Sequence, residues 1–154
     1  MNKLQTRKNF IVDFFERLAS ERKNWVNQNS EFYANDITYM RFLVPPGQKI
    51  LELGCGNGHL LSALSPKEGV GVDFSPNMVK SACDEYPDLT FNVGDMESDK
   101  LIESLEGPFD FIILSDSIGM LEDIEATLSN LHKICSPDTR IIIAYYSQIW
   151  NPIL

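Results

Sequence analysis

The sequence predicts an α/β fold, a doubly wound and mostly parallel sheet. Three observations carry that expectation. From residue 49 onward, short apolar runs alternate with helical patterns, and such alternation builds a parallel sheet covered on both faces. The first run, Ile50-Leu51-Glu52-Leu53, passes straight into glycines at alternate positions, Gly54, Gly56 and Gly58. Glycine permits a tight turn there and removes the Cβ that would hold a ligand away. Acidic residues then stand just past the later strands, at Asp73, Asp95 and Asp116, on the edge where open α/β sheets bind ligands.

The elements follow in order. Phe10, Phe14 and Leu18 recur at helical spacing, so residues 8–22 read as an amphipathic helix. Phe32, Tyr33, Ile37, Met40 and Leu43 give a second helix, stopped by Pro45-Pro46-Gly47. Strands are expected at Lys49–Leu53, Gly69–Val72, Thr90–Val93, Phe109–Leu114 and Arg140–Tyr145. Helices are expected at Gly58–Leu64, Pro76–Glu85 and Ile124–Cys135, with a helix or loop over residues 97–107. Ser75-Pro76 is a helix start, Ser as N-cap and Pro at the first helical position. Residues 1–46 therefore read as an N-terminal helical cover and residues 47–154 as a single α/β core.

Composition narrows the class. A chain of 154 residues suffices for one domain with a real core. No apolar run approaches the roughly 18 residues of a membrane span, and no apolar stretch behind the N-terminus reads as a signal peptide. A cytoplasmic location and no membrane partner are the expectations. Cys55, Cys83 and Cys135 are odd in number and widely spaced, which argues against a disulfide framework and against a Cys-x-x-Cys metal site. His59 and His132 stand apart, so no metal is expected. The net charge of −9 is uneven: residues 1–49 hold 8 Lys/Arg against 5 Asp/Glu, the remainder 5 against 17. An acidic body does not suit a nucleic-acid backbone, and the basic start reads as a solvated helical face.

Asp73 ends the second strand, 19 residues after Gly54, and a carboxylate there can accept both hydroxyl protons of a ribose. Phe74 can lie against an adenine. Asp95 can accept from an exocyclic amine. Ser115-Asp116-Ser117 closes the fourth strand. Together these point to an adenosine-containing ligand. The dinucleotide fingerprint Gly-x-Gly-x-x-Gly is not met, because its third glycine position holds His59. That spacing disfavours a nicotinamide-dependent oxidoreductase.

Glu52-Leu53-Gly54-Cys55-Gly56-Asn57-Gly58 resembles motif I of the class I S-adenosylmethionine-dependent methyltransferases. Val70-Gly71-Val72-Asp73-Phe74-Ser75-Pro76-Asn77-Met78 resembles their second motif, Gly94-Asp95-Met96 their third, and Phe109–Ser115 their fourth strand. The likeness spans residues 47–147 and implies a Rossmann-like methyltransferase fold with S-adenosylmethionine as cofactor and S-adenosylhomocysteine as product. It implies that the backbone of Gly54, Cys55, Gly56 and Gly58 holds the methionine portion, with Glu52 reaching its ammonium through water. It implies that Asp73 binds the ribose, Phe74 and Met78 flank the adenine, and Asp95 and the Met96 backbone read its edge. Ser115 is placed beside the methionine part. Trp25, Tyr33 and Tyr39 are candidates to close the site from the cover.

The family sheet normally continues past the fifth strand with a helix and a strand hairpin. This sequence ends at Trp150-Asn151-Pro152-Ile153-Leu154, so a C-terminally incomplete domain is expected. Its uncovered fifth strand then invites a homodimer through that edge, or a disordered tail. The fourth strand lacks an Asn-Pro-Pro-Tyr type of motif, which with the acidic body favours a small-molecule acceptor. The sulfonium methyl is already activated, and positioning can supply on the order of 7–11 kcal/mol of the barrier. Asp116 is the candidate base where an O- or N-acceptor needs one. The expected function is methyl transfer to a small molecule; the alternative is a domain that holds the cofactor without turnover.

Overall fold

The computed structural model describes residues 3–145. The expected tail beyond Tyr145, including Trp150, lies outside the described residues.

Two helices come first, α1 (Lys3–Gln28) and α2 (Ser30–Leu43). The alternating part follows as β1 (Lys49–Leu53), α3 (His59–Ala63), β2 (Glu68–Asp73), α4 (Pro76–Glu85), β3 (Thr90–Val93), α5 (Asp99–Ser104), β4 (Phe109–Ser115), α6 (Ile124–Leu131) and β5 (Cys135–Ala144). The five strands lie in the order β3-β2-β1-β4-β5 and every neighbouring pair is parallel. The order reverses at β1, so the crevice that receives ligands opens at the carboxyl ends of β1 and β4.

Alternation along each central strand divides the interior into two cores. Ile50 of β1 and Phe111 and Ile113 of β4 face one side, where Met40 and Val44 follow from α2, Leu61 from α3 and Val79 and Ala82 from α4. Leu51, Leu53, Ile112 and Leu114 face the other, against Ile102 of α5, Leu131 at the end of α6 and Ile134 in the turn after it. Helices on both faces are what near-continuous apolar strands require, since neither face can meet water. Glu52 is the exception. It occupies a β1 position on the first core's side and is 3% exposed.

α4 begins as its sequence dictates. Ser75 caps it, its hydroxyl accepting from the Met78 amide at 3.2 Å, with Pro76 in the first turn. Asp123 caps α6 in the same way through the Ala126 amide at 2.9 Å.

Two sequence expectations are corrected. The amphipathic helix of residues 8–22 is present within α1, but its inner face is not the Phe10-Phe14-Leu18 stripe: Phe10 is 66% and Phe14 48% exposed. Val26 is buried, and Leu18 of the expected stripe is half-buried together with Phe15, Glu16 and Ala19. The helix carries apolar residues on both faces, and packing selected the face that also holds polar anchors. The basic start is also not merely solvated. Arg7 donates to Glu122 at 2.8 Å, and Lys8 pairs with Asp95 at 2.6 Å and Glu97 at 2.8 Å.

β5 stands at one edge of the sheet. Ile142 and Ala144 pack into the first core. Ile141 and Ile143 point the other way and, with Ile124, Leu128 and His132, line an open apolar groove beside α6. No described helix is long and apolar enough to cross a membrane.

Candidate functional site

The glycine turn is built where β1 leaves the sheet. The amides of Gly54 and Cys55 both donate to the Val72 carbonyl, at 2.8 and 3.0 Å, which ties the turn to β2. Gly54 has φ +80°, and a Cβ there would stand 2.5 Å from the Ser117 Cβ. That position is closed to any side chain by both backbone and space. Gly56 has φ +53°, yet a Cβ there would meet nothing within 4 Å. Its missing side chain leaves open space above the turn.

Asp73 joins this turn to the next. One carboxylate oxygen accepts from the Gly56 amide at 2.8 Å and the other from the Ser75 amide at 2.9 Å. Burial raises its carboxyl above the usual range, and those two bonds and the Arg22 charge pull it partly back. Each oxygen keeps a lone pair for a further donor. Glu52 lies one strand away. Burial pushes its carboxyl up to about 8, a backbone bond from Leu61 opposes this, and the nearby Asp73 and Asp36 add to it. Its Oε2 is buried with no hydrogen-bond partner. A polar atom so placed costs free energy until a donor reaches it.

Two hollows lie along the carboxyl edge. One of about 200 Å³ sits beneath the first half of α1, between Lys8, Ile11 and Val12 above and Phe74, Asp95, Met96 and Leu121 below. The second, about 90 Å³, is enclosed by Arg22, Tyr33, Asp36, Glu52, the Gly54–Asn57 turn, His59, Ser115 and Asp116. Asp73 lines neither hollow; it is 7% exposed and is joined to the smaller one through its bond to Gly56. A wider groove of about 600 Å³ runs along the flank between α1 and α4, past Asn77, Lys80 and Asp84. It touches none of the strand ends, whereas the two smaller hollows hold the residues that the sequence singles out.

The residues singled out in the sequence distribute as follows. Tyr33, Glu52, Gly54, Cys55, Gly56, Ser115 and Asp116 line the smaller hollow, and Phe74, Asp95 and Met96 the larger. Met78 lines neither; it is buried at the start of α4. Gly58, with φ +76°, precedes α3 and lies under the Phe91 ring. Trp25 and Tyr39, candidates to close the site, are 57% and 63% exposed and line neither hollow. Both oxygens of Asp95 are engaged, one by Lys8 and the other by the Glu97 amide at 2.9 Å. Asp116 holds a left-handed backbone with φ +54°, a conformation that short polar side chains tolerate. Its amide donates to the Ala144 carbonyl at 2.9 Å, so β5 sets its place. Burial raises the Cys55 thiol, which leaves it protonated against the turn.

Sequence reasoning missed the contribution of α1. Arg22 lies 5.5 Å over the Tyr33 ring and borders the smaller hollow. Glu16 reaches the Ser75-Asn77 turn. With Lys8 these residues follow one face of α1, and charged residues on an otherwise shielded helix face are the signal that could have found them.

Comparison with known proteins accords with this geometry. Residues 7–151 match a protein family described as a methyltransferase domain. A demethylmenaquinone methyltransferase of Beutenbergia cavernae is 31% identical over 111 residues, covering 70% of this chain and 45% of that protein. A malonyl-[acyl-carrier protein] O-methyltransferase of Bacillus cereus is 29% identical over 151 residues, covering 94% of this chain and 53% of that protein. The chain thus spans about half the length of these curated relatives. Among solved structures, a methyltransferase of Thermotoga maritima superposes with a TM-score of 0.71 at 23% identity, over 86% of this chain and 60% of that one. At that identity the likeness is one of fold. The five-stranded parallel sheet is that of a Rossmann-like methyltransferase, and the chain belongs to the methyltransferase domain family.

Proposed function

We propose that this chain binds S-adenosylmethionine and serves methyl transfer to a small-molecule acceptor. The observation that carries the reading is Glu52, a buried carboxyl with an unpartnered oxygen at the foot of the glycine turn. Such an oxygen calls for a buried cationic donor, and the ammonium of a methionine moiety supplies one. Asp36 borders the same hollow, and Arg22 at its rim offers a fork that suits the moiety's carboxylate. The open space above Gly56 admits the backbone of the ligand. Asp73 keeps lone pairs for two ribose hydroxyls, and Phe74 and Met96 supply apolar surface for an adenine. The residues present therefore fit the group.

When bound, the cofactor supplies a methyl group already activated by its sulfonium. The protein's part is then to hold, align and exclude water. Ser115 and Asp116 stand at the end of β4, beside the hollow assigned to the methionine portion. Asp116 borders that hollow, which supports its assignment as the group that takes a proton from an O–H or N–H acceptor. Its exposure also favours a second reading, in which this part of the chain holds the cofactor and the acceptor pocket requires further residues. A cytoplasmic setting and a homodimer through the β5 edge belong to the same proposal; the exposed Ile141 and Ile143 support the latter.

Calorimetry with S-adenosylhomocysteine and NAD tests the core of the reading. Binding of the first and not the second is expected, with Asp73→Ala weakening it at least tenfold. Unchanged affinity in Asp73→Ala removes the ribose assignment. Transfer of a labelled methyl group to small-molecule acceptors separates catalysis from binding alone, and sedimentation velocity decides the dimer.

A further inference from the structure

Glu16 sits in the middle of α1, where a helix in water carries acids freely, yet its carboxylate is turned onto a loop 59 residues away. One oxygen accepts from the Ser75 hydroxyl and from the Asn77 amide at 3.1 Å, and the other from the Asn77 side-chain amide. Ser75 is used in every direction. Its hydroxyl proton goes to Glu16, its hydroxyl oxygen accepts from the Met78 amide, and its own amide donates to Asp73. The other Asp73 oxygen takes the Gly56 amide. A continuous chain of hydrogen bonds thus runs from the outer helix through the β2–α4 turn to the glycine turn. Beside it, Phe15 meets Phe74 edge-on, with ring centroids 5.6 Å apart.

We propose that Glu16 is a positioning residue for Asp73, so that docking of α1 and binding of an adenosine-containing ligand are coupled. The proposal rests on the cofactor reading above. Asp73 has two oxygens and two neighbouring amides, and its rotamer is fixed only while both amides stay in place. The Gly56 amide is fixed by the glycine turn. The Ser75 amide is fixed by the cap of α4, and Glu16 is what holds that cap from outside. Hydrogen bonds to a charged acceptor are the strong kind, and this carboxylate takes three. Coupling of this sort is reciprocal: a ligand that engages Asp73 and Phe74 fastens α1 by the same factor.

The test combines calorimetry with S-adenosylhomocysteine and amide hydrogen exchange of the ligand-free chain. Glu16→Ala is expected to weaken binding roughly tenfold and to speed exchange at the Ser75 and Gly56 amides while β4 amides stay protected. Glu16→Gln, which keeps a carbonyl acceptor for Ser75 and Asn77, is expected to recover affinity to within about threefold. If Glu16→Ala does not fold, Glu16→Asp keeps the charge and shortens the reach, and the same losses are expected from it. Unchanged affinity in Glu16→Ala, or in Glu16→Asp where the alanine variant does not fold, or faster exchange spread equally into β4, overturns the proposal. A wild-type chain that binds no S-adenosylhomocysteine overturns the cofactor reading instead, and the exchange pattern then decides the positioning role by itself.

Discussion

Glu52→Gln offers the sharpest expectation, because the site holds a group at odds with its surroundings. Burial keeps the folded carboxyl near 8 against an ordinary 4.5, with Asp73 and Asp36 acting in the same direction and Arg22 against it. Below pH 4.5 both folded and unfolded chains carry the proton, so the neutral acid is accommodated. Between 4.5 and 8 the unfolded chain has released its proton and the folded chain has not, so stability falls as pH rises. The slope is about 1.4 kcal/mol per pH unit for one group. By pH 7 this amounts to roughly 3 kcal/mol as an upper figure, and above pH 8 no further loss follows. Glutamine has nothing to ionise. The variant should match wild type near pH 5 and exceed it increasingly toward pH 8 in urea denaturation. The same substitution should weaken S-adenosylhomocysteine binding, since an amide cannot neutralise an ammonium. Binding at pH 7 should also expel close to one proton from wild type and none from the variant, read by calorimetry in buffers of different ionisation enthalpy. Parallel pH–stability curves for the two proteins would refute the reasoning.

The two glycines of the turn should separate stability from binding. Gly54→Ala should cost about 3 kcal/mol of folding stability, from its left-handed backbone and the collision with Ser117. Gly56→Ala should cost about 1 kcal/mol of stability but a larger share of ligand affinity, because its Cβ enters open space above the turn; denaturation and calorimetry on both variants check this. Lys8→Met should loosen α1 by about 1 kcal/mol at low salt, given partly exposed pairs with Asp95 and Glu97, and by little at high salt. Asp116→Asn should lower turnover without changing cofactor affinity, in a chain and acceptor that turn over.

Much of the core could be read from the chain because local signals and tertiary demand agree there. β1, β3 and α4 fall at the residues expected, each bounded by a glycine, a proline or a capping serine. β5 begins earlier than expected, at Cys135. Cys135 pairs with Phe109, a shift in register follows, and the Thr139 hydroxyl reaches the Phe109 carbonyl at 2.6 Å before regular pairing resumes at Arg140. Only the partner strand reveals that irregularity. α6 ends at Leu131 and closes through a 3-10 turn, His132–Ile134, where a continuous helix was expected. Strand-end carboxylates were legible because topology alone brings strand ends together. Lys8, Glu16 and Arg22 were not, because their roles depend on which of two apolar faces α1 lays against the sheet. Trp25 and Tyr39 illustrate the converse: aromatic character drew attention, and packing left both outside.

The attachment of α1 has a consequence for how the chain is made. Within this chain the helix is made before the sheet it covers, and the partners of Arg7 and Lys8 are Glu122, Asp95 and Glu97, up to 115 residues later. At roughly 5–20 residues per second, α1 waits on the order of ten seconds before its last anchor exists. Until β2 and the turn after it are made, its apolar residues, Phe15 and Val26 among them, have no sheet to cover. Sequence-distant contacts of this kind form late and slow the closing of a fold. A helix made before its sheet is thus the last of the two to find its place, and the candidate site is enclosed only when it does.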